Sequence, residues 1–235
     1  MESKPVLLIT GVSGGLGKIA ADYFLSKNDF IVVGCSRSSV SLNHENFYHI
    51  QLDLSEKNAI AQLMSQVQAK FGRIDFLINA IGISHSKRAY FTSEAEVQDV
   101  FSINTFLPFK VINECSKFMT KKGGGKIINL STIHVSHATM GTSLYSSSKI
   151  AMEQMTRVLA TELFSSKIFL NCLRLSAVEG AGMTNTLTEE NKSSLLSRTI
   201  FKREVKVSEY TGVLNFLLSP ESQGLSGQII TLGDL

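Results

Sequence analysis

Val6-Leu7-Leu8-Ile9-Thr10 runs directly into Gly11-Val12-Ser13-Gly14-Gly15-Leu16-Gly17. The first five residues read as a short buried strand. The glycines read as a tight turn, and Ile19, Ala20, Phe24 and Leu25 then recur at helical spacing. Small residues at such a turn let backbone approach a pyrophosphate. The helix that follows presents free N–H groups and the positive end of its dipole. Two other glycine motifs are excluded. A P-loop needs glycine five residues before Gly17-Lys18 and Ser or Thr after it, but Val12 and Ile19 stand there. The G-x-G-x-x-G spacing is also absent. The motif is T-G-x-x-x-G-x-G, through Thr10, Gly11, Gly15 and Gly17, with Ser13 and Leu16 inside it.

The alternation that starts at this turn continues along the chain. Strand-length apolar runs are expected at Phe30–Cys35, Phe47–Leu52, Phe76–Asn79, Lys126–Leu130, Ile168–Leu173 and Gln228–Leu232. Helical periodicity falls between them at Ala59–Phe71, Glu94–Met119, Leu144–Phe164 and Val207–Leu218, with Glu94–Met119 read as one long helix. Continuous apolar strands are buried on both faces and separated by helices, which implies parallel pairing and right-handed crossovers. The expected fold is a single α/β domain over residues 1–235: a doubly wound, Rossmann-type parallel sheet of about seven strands with helices on both faces. The polar stretch 179–200 lies beyond the C-terminal end of a strand, where such sheets bind ligands, and is the expected substrate loop.

Composition agrees. The 235 residues are 43% hydrophobic and 18% charged, with three prolines, which excludes a disordered chain. No run approaches the length of a membrane span, and the first residues do not form a secretory signal. Net charge is +3 with no basic block, so neither nucleic acid nor membrane is an expected partner. Cys35, Cys115 and Cys172 are odd in number, far apart and set in apolar segments. They read as buried small hydrophobes in a reducing, cytoplasmic compartment.

The second strand ends at Cys35-Ser36-Arg37-Ser38, and no acid lies between Ile31 and Asn43. An acid near this point takes ribose hydroxyls in NAD sites, whereas arginine accommodates a 2′-phosphate. Ser36 and Arg37 therefore point to NADP in preference to NAD. Further on, Tyr145-Ser146-Ser147-Ser148-Lys149 places a phenol and an ammonium on one helical face. A nearby ammonium lowers a phenol's pKa, so the tyrosine can exchange a proton with a carbonyl or alcohol oxygen.

With these residues in view, the whole chain resembles the short-chain dehydrogenase/reductase family in its simple form. Thr10–Gly17 matches the glycine loop and Tyr145 with Lys149 matches Y-x-x-x-K. Asp53-Leu54 matches the family's adenine-contacting Asp and its neighbour, Asn79-Ala80-Ile81-Gly82 an altered N-N-A-G turn, and Asn104 the helical Asn. The resemblance implies that Tyr145 is the general acid/base, and that Lys149 tunes it and holds the nicotinamide ribose. Asn104 would fix a proton-relaying water, while hydride passes between nicotinamide and substrate carbon. It also implies a small carbonyl or alcohol substrate and a homodimer or homotetramer.

The sequence departs from the family at several places, among them the ending Leu232-Gly233-Asp234-Leu235, which lacks the usual Gly-Gly. The hydroxyl thirteen residues before Tyr145 is Thr132 rather than Ser, with Ser131 just before it. Leu175-Ser176 replaces a Pro-Gly turn, and Gly180 stands where a Thr is expected, with Thr184 the nearest later one. These departures keep open an alternative: a catalytically weak dinucleotide-binding sensor or assembly subunit. A sugar-nucleotide epimerase or dehydratase lacks room after the sixth strand. His134 and His137 read as polar lining or exposed loop rather than a metal site, and Glu189 with Glu190 as a helix's first turn after Thr188.

Overall fold

The computed structural model describes residues 4–181, 190, 193 and 196–234. Seven strands form one parallel sheet: β1 Val6–Thr10, β2 Ile31–Ser36, β3 Phe47–Gln51, β4 Phe76–Asn79, β5 Gly125–Thr132, β6 Ile168–Leu175 and β7 Ile229–Leu232. Their order is β3-β2-β1-β4-β5-β6-β7. The chain reverses direction across the sheet between β1 and β4, which opens a crevice at the strands' C-terminal ends. Helices α1 Gly15–Lys27, α2 Ala59–Lys70, α3 Glu94–Phe101, α4 Leu107–Lys122, α5 Ser143–Glu162 and α6 Val207–Leu218 surround it.

Alternation within β1 shows why the sheet needs both layers. Val6 and Leu8 pack with Leu63, Met64 and Val67 of α2 and with Val111, Ile112, Cys115 and Met119 of α4. Leu7 and Ile9 face the other way, onto Ala20, Ala21, Phe24 and Leu25 of α1 and Tyr210, Leu214 and Leu217 of α6. Successive strand residues point to opposite faces, so an all-apolar strand requires cover on both. The three cysteines are free and buried. Burial pushes the Cys35 thiol up to about 12 and raises the other two as well.

Two expectations are corrected. The helix read over Glu94–Met119 is interrupted by a π turn at Ser102–Phe106. Pro108 has no N–H to offer the Asn104 carbonyl, so the α-helical ladder must break there. The strands β5 and β6 also run two residues further than their apolar runs, carrying Ser131, Thr132, Arg174 and Leu175 into the ladder. Among the described residues no helix is long and apolar enough to cross a membrane. The expected substrate loop lies partly outside the described residues, as do Thr184, Thr188 and Glu189.

Candidate active site

The turn after β1 is shaped by contact as well as conformation. Gly11 has φ +80°, and a Cβ there would lie 3.1 Å from the Ala80 carbonyl. A Cβ on Gly17 would sit 2.4 Å from the Gly11 oxygen, so only glycine lets α1 close against the turn. Thr10 Oγ1 accepts from the Ala80 amide at 3.1 Å, joining the β1 and β4 turns. The Tyr210 hydroxyl donates to the Leu16 carbonyl at 3.2 Å, holding the turn from α6. Gly14 precedes α1 without any side-chain cap, and no acid stands in the first turn. Among the described residues nothing lies within 4 Å of a Cβ placed on Gly14, and Ser13 beside it is exposed. The α1 amides are therefore open at the positive end of the helix, a donor set that fits a pyrophosphate.

At the neighbouring strand ends, Arg37 projects outward with its side chain 73% exposed, 3.9 Å from Asp53. Asp53 accepts from the Ser55 amide at 2.9 Å and the Ser55 hydroxyl at 2.6 Å. The Ser55 hydroxyl chiefly holds its carboxyl below the usual range. Leu54 is buried behind it. Ser36 is only 3% exposed, and its hydroxyl is engaged by the Ser38 carbonyl and by His49. Asn79 donates to Asn129 at 2.8 Å, and Asn129 to Thr156 at 2.9 Å, a buried polar tie from β4 through β5 to α5.

The C-terminal end of β5 and the first turns of α5 bring the reactive groups together. Thr132 is buried, its Oγ1 accepts from the His134 amide at 3.3 Å, and its side chain draws down the pKa of the neighbouring Tyr145 phenol. Lys149 is buried one turn on, and its Nζ donates to the Leu130 carbonyl at 3.0 Å. A Cβ on Gly82 would lie 3.2 Å from Nζ and 3.3 Å from Asn104 Oδ1, so glycine leaves these two room. The π turn places Asn104 fully inside. Its Oδ1 accepts from the Ile83 amide at 2.9 Å, while Nδ2 donates to the Ile83 carbonyl at 2.9 Å and Ser148 Oγ at 3.1 Å.

The electrostatics differ from the sequence expectation. Burial raises the Tyr145 pKa, against a lowering hydrogen bond from Thr132; Lys149 is not among the groups acting on it. The Nζ is committed to a backbone carbonyl instead. Burial brings Lys149 itself down to about 8, while Cys172 and Glu153 act in the opposite direction. An ammonium in this range exchanges its proton near neutral pH, which suits a relay group.

Beneath this set lies a buried ion pair that sequence reading did not single out. Glu153, one turn beyond Lys149, takes Arg174 Nε at 3.0 Å and Nη2 at 2.6 Å. The Ser131 hydroxyl donates to its Oε1 at 2.6 Å. Arg174 also donates to Ser136 at 2.8 Å, in the turn after β5. The pair joins α5 to β6 across 21 residues, so no helical or strand spacing announces it. Ser131 thus faces α5 from one side of β5, while Thr132, the next residue, meets Tyr145.

Among the described residues, buried Ser176 has no partner for its hydroxyl, and a Cβ on Gly180, at φ +68°, would meet nothing within 4 Å. His134 packs edge-on to the Tyr145 ring at 6.2 Å, and its buried Nδ1 has no hydrogen-bond partner among the described residues. Burial, then the His137 and Arg198 charges, lowers its pKa. His137 instead contacts Asp234 near the C-terminus. Among the described residues, no three His, Cys, Asp or Glu groups are gathered as a metal would require.

A glycine turn with open helix amides and a Tyr–Lys–hydroxyl set at one crevice of a parallel sheet define a Rossmann-type, dinucleotide-dependent oxidoreductase. The chain belongs to the short chain dehydrogenases, whose family pattern matches residues 5–192. It is 30% identical to a 3-oxoacyl-acyl-carrier-protein reductase of Buchnera aphidicola over 97% of this chain and 95% of that protein. It is 25% identical to an acetoacetyl-CoA reductase of Allochromatium vinosum over 94% of each. A solved structure of ElxO with NADP bound superposes with TM-score 0.88 at 24% identity over 97% of both chains, a likeness of fold.

Proposed function

We propose that the protein is an NADPH-dependent reductase of a carbonyl, with 3-oxoacyl thioesters the favoured substrate class. The observation that carries the chemistry is the convergence of Thr132 at the end of β5 with Tyr145 and Lys149 on the first turns of α5, where the Thr132 side chain acts on the Tyr145 phenol. The substrate class draws on the activities named for the relatives above.

Bound nicotinamide would supply the hydride. Each remaining task falls to this chain. The α1 amides bind pyrophosphate, and Arg37 faces the 2′-phosphate side. Thr132 and Tyr145 share the substrate oxygen, so the carbonyl is polarised before proton transfer. Burial keeps the Tyr145 phenol protonated until the oxygen gains charge. Lys149, with its proton loosely held, replenishes the phenol. Asn104 fixes the Ile83 and Ser148 walls around Nζ. Exposed Phe109 on α4 and Ile150 and Val158 on α5 support a homo-oligomer, which light scattering of the purified protein would register.

The deciding test follows NADPH oxidation with acetoacetyl-CoA and simple ketones, alongside titrations of NADPH and NADH. Turnover with tighter NADPH binding, reversed or abolished by Arg37→Asp, supports the reading. Equal affinity for both cofactors would remove the NADP assignment. Tight binding without turnover on any carbonyl would favour the sensor or assembly role.

A further inference from the structure

The edge that meets the adenine ribose is braced from behind by strand β3. Alternate residues Phe47, His49 and Gln51 share one face of that strand. Phe47 anchors it: a Cβ on Gly34 of β2 would lie 2.8 Å from the Phe47 ring and 2.7 Å from Val12 of the glycine turn. His49 stacks on Phe47 with ring centroids 6.2 Å apart and planes 17° from parallel. Its Nε2 lies 2.8 Å from Ser36 Oγ. Ser36 Oγ in turn lies 2.9 Å from the Ser38 carbonyl, which can only accept. The single hydroxyl proton therefore goes to Ser38, and Nε2 must be the nitrogen that donates to Ser36. Gln51 completes the brace, donating through Nε2 to the Arg37 carbonyl at 3.0 Å.

All three residues of the Ser36-Arg37-Ser38 turn are thus tied down: Ser36 by its hydroxyl, Arg37 and Ser38 by their carbonyls. The Arg37 guanidinium is not. It remains exposed, and among the described residues its ion-pair partner is Asp53 at 3.9 Å, beyond hydrogen-bond distance. A fixed backbone carrying an uncommitted cation is what preorganised recognition of a phosphate requires.

Resting on the NADP reading above, we propose that His49 and Gln51 are positioning residues for cofactor selection: they hold the turn that presents Arg37 to a 2′-phosphate. Neither touches the ligand. Their effect passes through Arg37, so it falls on the phosphorylated dinucleotide and spares the reaction at the far end of the crevice.

The test titrates NADPH and NADH into the whole protein by cofactor fluorescence, with kcat and KM measured in parallel. His49→Phe keeps the stacking on Phe47 and deletes the donor. Gln51→Leu deletes the second tie at an exposed position. Each should weaken NADPH about three- to tenfold, the equivalent of one hydrogen bond, with NADH binding and kcat unchanged. His49→Gln, whose amide can donate to Ser36, should recover most of the loss. Undiminished NADPH preference in both variants would overturn the proposal and leave the NADP reading standing. Equal weakening of NADH would also overturn it, because the role would then be general scaffolding. A parent protein with no NADPH preference would remove the reading and this inference together.

Discussion

Ser131 and Thr132, adjacent at the end of β5, serve opposite sides of the strand: Ser131 donates to Glu153 at 2.6 Å, while the Thr132 side chain acts on the Tyr145 phenol. A strand's two-residue period makes this unavoidable, and it decides which hydroxyl can reach a substrate. Thr132→Val, which keeps the shape and removes the hydroxyl, should lower kcat about 100-fold, as loss of one preorganised donor does. Thr132→Ser should keep or raise the rate. Ser131→Ala should leave the rate near parental and lower stability by about 1.5–3 kcal/mol, since its partner is a charged group. Steady-state kinetics beside thermal melts give the ranking, and the reverse order would mean that the loop register is shifted by one.

Tyr145→Phe keeps the ring packed against His134 and removes the transferable proton. Turnover should be lost while NADPH titration stays close to parental. Parental turnover in this variant would exclude Tyr145 as the general acid.

Lys149 should be a liability for stability. Its pKa falls from 10.5 to about 8 on folding because the ammonium is buried. Below pH 8 both folded and unfolded chains hold the proton, and the cost of burying the charge is fully present. Between 8 and 10.5 the unfolded chain binds more protons than the folded one, so this group's contribution rises with pH. The total is about 3 kcal/mol at 1.36 kcal/mol per unit. Lys149→Met should therefore be most favourable to stability, relative to the parent, near pH 7, and lose that advantage by about that amount toward pH 10.5. Denaturant melts at both pH values measure it; a pH-independent difference would mean that the lysine is not depressed. The same variant should lose turnover at every pH.

The Glu153–Arg174 pair offers a different contrast. Glu153 is 2% exposed at its side chain and Arg174 16%. Glu153→Ala takes the carboxylate from a largely buried guanidinium and should cost about 3–5 kcal/mol. The double variant Glu153→Leu with Arg174→Met removes both charges and should recover much of this loss. Denaturant melts of the singles and the double resolve the coupling. Additive losses would mean that the two side chains act independently.

These contrasts also mark what the sequence could reveal. Thr10–Gly17 and Tyr145–Lys149 are legible because their geometry is local: one turn between strand and helix, one turn of helix. The sheet follows from apolar runs that need cover on both faces. The π turn at Asn104 hides inside an unbroken apolar period, and Pro108 was its one readable signal. Glu153 with Arg174, and His49 with Ser36, pair between different elements, 21 and 13 residues apart, so helical and strand spacing carry no trace of them. The expected lowering of the Tyr145 pKa failed for a related reason: helical spacing puts Lys149 beside the phenol but does not reveal that Leu130 takes its ammonium.

The glycine turn itself can be tested at two positions that look alike in sequence. Gly14 has φ −175°, ordinary extended backbone, and a Cβ there meets nothing within 4 Å among the described residues. Gly17 lies inside α1, where a Cβ would stand 2.4 Å from the Gly11 oxygen and 2.8 Å from its carbon. Those are backbone atoms, so the helix itself must move. Gly17→Ala should lower stability by about 1–3 kcal/mol, the usual cost of overpacking, and weaken dinucleotide binding by displacing the α1 amides. Gly14→Ala should melt like the parent. Dinucleotide titration of Gly14→Ala then measures how closely the ligand approaches that backbone: weaker binding with an unchanged melt places the pyrophosphate over Gly14. Parental melting of Gly17→Ala would mean that the close approach of α1 to Gly11 is not what holds the turn.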